Sequence, residues 1–201
     1  MTIAYDDPSL GADVARLAVG RAPSAVDPRV GERRSAEVLA TTLGTVVRCS
    51  MTALAPDVPD TDPVVTGGLP TALLRLEPGE WAAHWFVSDW GDEFTPREAA
   101  VAAGSRWESR TGRSSKGTHP WVLFERAGGG SVLVCPAWSG NWMVTAEPGA
   151  DGAVRVAAGI SDWKFSRALS SSRHFRAPEV YVATGSDRWE AAAALAEAVG
   201  R

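Results

Sequence analysis

The feature that most constrains this chain is a succession of short apolar runs that starts near Thr71 and continues to residue 183. Each run has about the length of a β-strand, and several alternate apolar with polar residues, as half-buried strands do. Trp142, Val144 and Ala146, for example, are predicted to share one face of a strand. The runs lie at residues 72–76, 81–87, 121–125, 131–138, 141–147, 153–158 and 179–183.

Glycine-rich turn signals join these runs at residues 128–130, 139–140 and 148–152. Tight turns between consecutive strands indicate antiparallel pairing, and a long series of such strands forms a sandwich or a barrel. The sequence therefore predicts a mainly β protein, with an antiparallel β-sandwich over residues 41–201. Residues 1–40 are poorly patterned and are predicted to form an N-terminal arm, with one stretch of helical character at residues 10–19.

Two short helices are predicted to interrupt the strands. Thr95 and Glu98 have the spacing of a capping box, Pro96 occupies the first helical position, and Gly104 is expected to end this helix. A second, alanine-rich helix is predicted from Asp187, at its N-cap, to Gly200.

The charge and hydropathy of the 201 residues exclude several classes of partner. The net charge is -4 and no basic cluster is evident, so we expect neither nucleic acid nor an anionic membrane surface as a partner. No apolar run approaches the roughly 20 residues of a membrane span. The first residues have no pattern typical of a signal peptide, and Cys49 and Cys135 are expected to be separate, reduced thiols. Together these features predict a cytoplasmic protein.

The sequence offers little chemistry of its own. His84, His119 and His174 are not at metal-ligand spacing, and no glycine-rich loop has a phosphate- or dinucleotide-binding pattern. We therefore expect no metal and no cofactor.

A cluster of acidic residues around Trp90 could in principle supply a catalytic pair, because a glycosidase uses two carboxyl groups about 5–9 Å apart. The cluster consists of Asp89, Asp92, Glu93 and Glu98. Glu98 is explained by the predicted capping box, and the other three lie in a predicted solvated loop. The sequence therefore predicts no catalytic pair here, and no catalytic residue in this chain.

Four segments, in order, resemble the N-terminal domain of family 36 glycoside hydrolases, the α-galactosidase or melibiase family. The first contains Asp-Trp-Gly at residues 89–91, and the second contains Gly-Arg-Ser-Ser at 112–115, followed by His-Pro-Trp at 119–121. The third is Trp-Ser-Gly-Asn at 138–141, and the fourth covers residues 159–180. One departure lies at residues 169–175, which read Leu-Ser-Ser-Ser-Arg-His-Phe where the family usually has a Pro-Gly-Glu turn.

This resemblance implies a β-supersandwich of the kind that precedes a catalytic (β/α)8 barrel. The family's two catalytic aspartates belong to the barrel, which needs about 200 or more residues of its own, so none is assigned to this chain. The family's Asp-Trp-Gly loop reaches the sugar pocket, which makes Trp90 a candidate wall of an α-galactoside site. The rim candidates are Trp90, Asp89, Asp92, Arg113 and Ser114.

Each candidate also has a structural explanation. Trp90 can fold back into the sandwich core, and the segment 113–115 can be turn structure in which serine hydroxyls bind nearby backbone. Trp138 and Trp142 can be core residues or a sugar-binding platform, and core is favoured because each continues a strand.

The leading hypothesis is a non-catalytic domain of an α-galactosidase-like enzyme, with a barrel or a second copy as its partner. The alternative is a free-standing carbohydrate-binding protein. A self-sufficient hydrolase is the third hypothesis, which the acidic cluster does not support.

Overall fold

The computed structural model describes residues 14–18, 20–23, 27–113 and 116–200. Within these residues the chain forms 17 β-strands and one α-helix, and every strand pair is antiparallel. The predicted mainly β, antiparallel sandwich is confirmed.

Two sheets form the layers of the sandwich. The small sheet has the order β1 (Ala15–Leu17), β6 (Leu69–Leu76), β14 (Val154–Ile160), β13 (Trp142–Pro148) and β9 (Ser105–Glu108). The large sheet has the order β10 (Gly117–Thr118), β7 (Trp81–Asp89), β11 (Val122–Arg126), β12 (Ser131–Pro136), β17 (Val180–Gly185), β4 (Thr45–Leu54), β3 (Gly31–Leu39) and β2 (Gly20–Pro23). In addition, β8 (Asp92–Ala100) pairs with β7, β16 (Phe175–Arg176) pairs with β4, and β5 (Val64–Thr66) pairs with β15 (Arg167–Leu169).

The main core lies between the two sheets, because alternate residues of each strand point inward. Trp142, Val144 and Ala146 are fully buried there, which confirms the predicted face. Trp138 is partly buried against the same core, so both tryptophans pack as core residues.

The single helix, α1 (Arg188–Val199), lies on the outer face of the large sheet. The Asp187 side chain caps its N-terminus by accepting from the backbone N–H groups of Trp189 and Glu190, as the sequence predicted. Ala191 and Ala194 are buried in a second apolar cluster on this face. The helix packs mainly on β17, β12 and β4, and it lies at one side of the outer surface of β11, β7 and β8.

The helix predicted from Thr95 to Gly104 is wrong. Residues 95–100 belong instead to strand β8, which pairs with β7 from Ala100 opposite Ala82 to Asp92 opposite Asp89, and residues 101–104 are a non-helical connection. Cross-strand pairing outweighs the local capping signal, and Pro96 fits because an outer strand leaves its nitrogen without a required partner. The helical character at residues 10–19 is also wrong where it can be tested, because 15–17 form β1, while 10–13 and 19 lie outside the described residues.

Two predicted hairpin turns are confirmed and one is corrected. Residues 128–130 join the paired strands β11 and β12, and residues 148–152 lie between the paired strands β13 and β14. Residues 139–140 instead lead from the large sheet into the small one, since β12 and β13 belong to different sheets. Residues 31–39, which the sequence left in the N-terminal arm, form β3 and pair with β4 along nine positions.

No helix among the described residues is both long and apolar enough to cross a membrane.

Candidate functional site

The site is built on the hairpin of β7 and β8, whose turn consists of Trp90 and Gly91 between the paired residues Asp89 and Asp92. Gly91 has φ +75°, the left-handed conformation that such a turn requires and that glycine adopts without strain. The Trp90 N–H donates to Asp89 Oδ1 at 2.8 Å, which fixes the start of the turn. The Trp90 side chain has a relative exposure of 101%, so the hypothesis that it folds back into the core is wrong.

A β-bulge lies immediately below this turn. Val87 pairs with Thr95, and Asp89 pairs with Asp92, so that Ser88 opposes the two residues Glu93 and Phe94. A bulge bends its strand and increases the local twist, and it thereby changes the direction in which a hairpin tip points.

Phe94 carries the strain of the bulge. It has φ +55°, a left-handed conformation that is unfavourable for a residue other than glycine and costs about 1–3 kcal/mol. Its N–H donates to Ser88 Oγ at 3.2 Å, and its ring stacks on His119 with 4.4 Å between the ring centroids. Ser88 Oγ also lies 2.7 Å from His119 Nε2, so these three side chains form one closed set of contacts.

His119 is itself anchored, because it is 8% exposed and its backbone N–H donates to the Phe86 carbonyl at 2.9 Å. The hairpin tip is therefore exposed while its base is held by hydrogen bonds and ring stacking. Sequence reasoning missed Ser88 and Phe94, because it placed the following residues in a helix.

The loop that contains Arg113 is held by hydrogen bonds from Ser109 and to Asn141. The Ser109 hydroxyl donates to the Arg113 carbonyl at 2.5 Å, and the Gly112 N–H donates to Asn141 Oδ1 at 2.7 Å. This loop leads into β10, where Gly117 pairs with Ser88 at the base of the hairpin. The pairing therefore brings the loop to the neighbourhood of the hairpin that carries Trp90.

The side chain of Asn141 links the Arg113 loop to the segment that contains Trp163. Its Nδ2 donates to the Trp163 carbonyl at 3.3 Å, while its Oδ1 accepts from the Arg113 loop. Three of the four segments singled out in the sequence thus meet through one amide side chain.

The structure describes the side chains of three of the five predicted rim residues. Trp90, Asp89 and Arg113 are exposed on the hairpin and the neighbouring loop. Asp92 lies at the end of the turn, but its side chain is outside what the structure describes, and Ser114 lies outside the described residues altogether.

Comparison with known proteins identifies this architecture. The family model of the glycosyl hydrolase family 36 N-terminal domain matches residues 62–170, which is more than half of the chain. The chain belongs to this family. No curated protein sequence matches the chain.

Solved structures of α-galactosidases share the fold. The galactosidase domain of the α-galactosidase–sucrose kinase AgaSK superposes with a TM-score of 0.71 at 22% identity, over 79% of this chain and 22% of that one. A GH36 α-galactosidase AgaA variant from Geobacillus stearothermophilus in complex with raffinose has a TM-score of 0.69 at 18% identity, with 86% and 24% coverage. The α-galactosidase from Lactobacillus brevis has a TM-score of 0.68 at 17% identity, with 88% and 24% coverage. This chain therefore spans about a quarter of the length of these proteins.

Glu98 lies apart from the other members of the acidic cluster whose side chains the structure describes. Asp89 and Glu93 are exposed on the hairpin, and Glu98 lies farther along β8, where its Oε2 is 3.3 Å from His84 Nδ1. Glu98 is therefore a strand residue, and its predicted role in a capping box is wrong. Among the described residues no group of three or more His, Cys, Asp or Glu side chains is arranged to hold a metal ion.

Proposed function

We propose that this chain is the non-catalytic N-terminal domain of an α-galactosidase-like glycoside hydrolase, that it packs on a catalytic (β/α)8 barrel, and that Trp90 walls the sugar pocket of that barrel. The proposal includes an α-galactoside as the sugar and a cytoplasmic location. The observation that carries it is the full exposure of Trp90 on a hairpin whose base is fixed. An exposed indole is costly unless a ligand or partner covers it, and its face suits the apolar face of a sugar ring.

The rigidity of the hairpin base supports this role. A side chain that contributes to a pocket on another domain must be held in position, and rigid placement lowers the entropic cost of binding. The contacts of Phe94 with Ser88 and His119 supply that rigidity, while Asp89 places a carboxylate beside Trp90 in the same turn.

The described residues do not favour catalysis by the chain alone. Every described strand pair is antiparallel, whereas a (β/α)8 barrel is built from parallel strands. We expect no turnover of an aryl α-galactoside by the purified chain. Turnover that is abolished by Glu93→Gln would contradict this and restore the acidic hairpin as a catalytic site.

The test of the docking role is a chimera in which this chain replaces the N-terminal domain of AgaA from Geobacillus stearothermophilus. We expect Trp90→Ala to raise KM for raffinose in the chimera, and Trp90→Phe to restore part of the loss because a ring face remains. An unchanged KM in a folded, active Trp90→Ala chimera would overturn the role of Trp90.

The isolated chain distinguishes this proposal from the free-standing carbohydrate-binding protein. A titration with raffinose, followed by tryptophan fluorescence, should show no Trp90-dependent binding if the pocket requires a barrel. Binding by the chain alone that is lost in Trp90→Ala would favour the free-standing protein. In both cases Trp90→Ala should change the free energy of unfolding by no more than about 0.5 kcal/mol, because the side chain is exposed.

A further inference from the structure

A groove lies on the outer face of the large sheet, between strand β8 and the first turn of helix α1. Alternate residues of β7 point outward here, so His84 and Phe86 form the floor, while Trp81 and Ala83 point into the core. The helix supplies Trp189 at the opposite wall. The cavity has a volume of about 490 Å³, within the range of about 300–1,000 Å³ that is typical of small-molecule sites.

Charged side chains form a chain of contacts along this groove. Glu98 Oε2 lies 3.3 Å from His84 Nδ1, and Glu125 Oε2 lies 3.2 Å from His84 Nε2. The second contact is too oblique for a hydrogen bond, since Nε2 has no hydrogen-bond partner. Arg188 Nη2 then donates to Glu125 Oε2 at 2.8 Å. The Glu98 side chain remains 64% exposed and the Arg188 side chain 45% exposed, so both are accessible to a ligand.

Aromatic rings form the rest of the lining. Trp121 and Phe86 pack against each other with 5.0 Å between ring centroids, which holds both rings in place. Trp189 is 76% exposed, although it is a large aromatic residue in the first turn of a helix. The rings of Trp121, Phe86 and Trp189 therefore present apolar faces beside the charged side chains of the groove.

The charges in and beside the groove balance. Glu98 and Glu125 carry two negative charges, and Arg97 and Arg188 carry two positive charges. A groove for an anion or a cation would have an excess of one sign. Aromatic faces combined with both hydrogen-bond donors and acceptors match a neutral ligand that has apolar ring faces and many hydroxyl groups.

We infer that this groove is a binding site for a neutral saccharide, with Trp189 as the stacking platform and Glu98 and Arg188 as hydrogen-bonding groups. It is independent of the function proposed for the hairpin, because Trp90 does not line the groove. Every residue that lines the groove belongs to this chain, so binding can be measured on the chain itself.

The experiment is an isothermal titration of the whole chain with methyl α-galactopyranoside, methyl α-glucopyranoside and raffinose, accompanied by circular dichroism of every variant. We expect Trp189→Ala to weaken the binding of at least one saccharide about tenfold or more, the scale of loss when an anchoring aromatic is truncated. Glu98→Gln, which keeps the side-chain shape and removes the charge, should weaken binding as well. Trp189→Phe should recover part of the affinity.

Val65→Ala is the matched control, because it truncates an exposed apolar side chain that does not line the groove, and saccharide binding should be retained in it; Trp90→Ala is measured beside it to test the hairpin. Binding that is retained in Val65→Ala and lost in Trp189→Ala supports the groove, whereas binding lost in Trp90→Ala and retained in Trp189→Ala assigns the sugar to the hairpin and overturns the inference. Absence of binding of all three saccharides at millimolar concentration also overturns it. So does binding of butylammonium in their place, which would indicate a cation site, or self-association that Trp189→Ala abolishes, which would indicate an interface between copies.

Discussion

The ring of Phe94 lies against the imidazole of His119, with ring centroids 4.4 Å apart and an angle of 24° between the planes. This contact exists although Phe94 has a left-handed backbone conformation. Strain of this kind persists only where surrounding contacts enforce it, and it concentrates at functional sites. The residues that enforce it, Ser88 and His119, lie below the exposed Trp90. The direction of the hairpin is therefore a built-in property of the domain.

The Ser88 hydroxyl is predicted to be the key contact of this bulge. Ser88→Ala removes the acceptor for the Phe94 N–H and the partner of the buried His119 Nε2. Since loss of a hydrogen bond at a buried group costs about 1–3 kcal/mol, we expect a decrease of this size in the free energy of unfolding. Urea denaturation measures it.

Ser139→Ala is the control for this experiment, because Ser139 is an exposed serine in the crossover between the sheets. It should change stability by less than about 0.5 kcal/mol. Equal stability of the two variants would show that the contacts of Ser88 do not hold the bulge.

The two cysteines are predicted to remain separate thiols. Strand β17 lies between their strands, with Cys135 opposite Tyr181 and Cys49 opposite Val180, so they are about 9–10 Å apart and on opposite faces of the sheet. A disulfide requires Cα atoms within about 7 Å. Burial raises the pKa of Cys49 to about 12 and that of Cys135 to about 11, which leaves little reactive thiolate at neutral pH.

We therefore expect slow alkylation of the native protein by iodoacetamide at pH 7.5 and rapid alkylation of two thiols after unfolding. Mass spectrometry counts the added groups, and Cys135→Ser should reduce the final count to one. A gain of two hydrogens on reduction of protein whose free thiols were blocked would contradict the prediction.

Sequence reasoning predicted the layers of the fold better than the geometry of the site. Alternation such as that of Trp142, Val144 and Ala146 reports which face is buried, and the structure confirms it. The prediction of a helix at residues 95–100 was wrong because a capping signal is local, whereas the strand is determined by pairing with β7, which is distant in sequence. The bulge below Trp90 could not be predicted, because no local propensity indicates a phenylalanine in the left-handed conformation.

Asp60 is predicted to make stability depend on pH through its hydrogen bonds with the hydroxyl groups of Ser170 and Ser172. Ser170 Oγ donates to its Oδ1 at 2.5 Å, and Ser172 Oγ donates to its Oδ2 at 2.7 Å. These hydrogen bonds hold the pKa of Asp60 below its ordinary value. The resulting stabilisation is therefore fully present above about pH 4, near the unfolded-state pKa, and is lost as the pH falls through the lower folded-state pKa.

We expect Asp60→Asn to be less stable than the wild type at pH 7, with a difference that shrinks below about pH 4 as the wild-type carboxylate becomes protonated. Thermal melts across this range measure the difference. Asp57→Asn, at an exposed aspartate of the same loop, is the control. A difference that does not change with pH would assign the effect of Asp60→Asn to shape instead of charge.

The buried ion pair of Glu32 and Arg34 is predicted to lock the two sheets together. Both side chains belong to β3 of the large sheet, and each is less than one-tenth exposed. Arg34 Nη2 donates to Glu32 Oε2 at 2.5 Å and to the carbonyl of Pro70, in β6 of the small sheet, at 3.1 Å.

Removing one member of a buried pair costs about 3–5 kcal/mol, because the other charge stays buried without compensation, whereas replacing both by apolar residues is often neutral. We therefore expect Glu32→Leu alone to be strongly destabilising and the double variant Glu32→Leu/Arg34→Met to recover most of the loss in chemical denaturation. A double variant less stable than Glu32→Leu would show that Arg34 stabilises the sandwich through Pro70 independently of its partner.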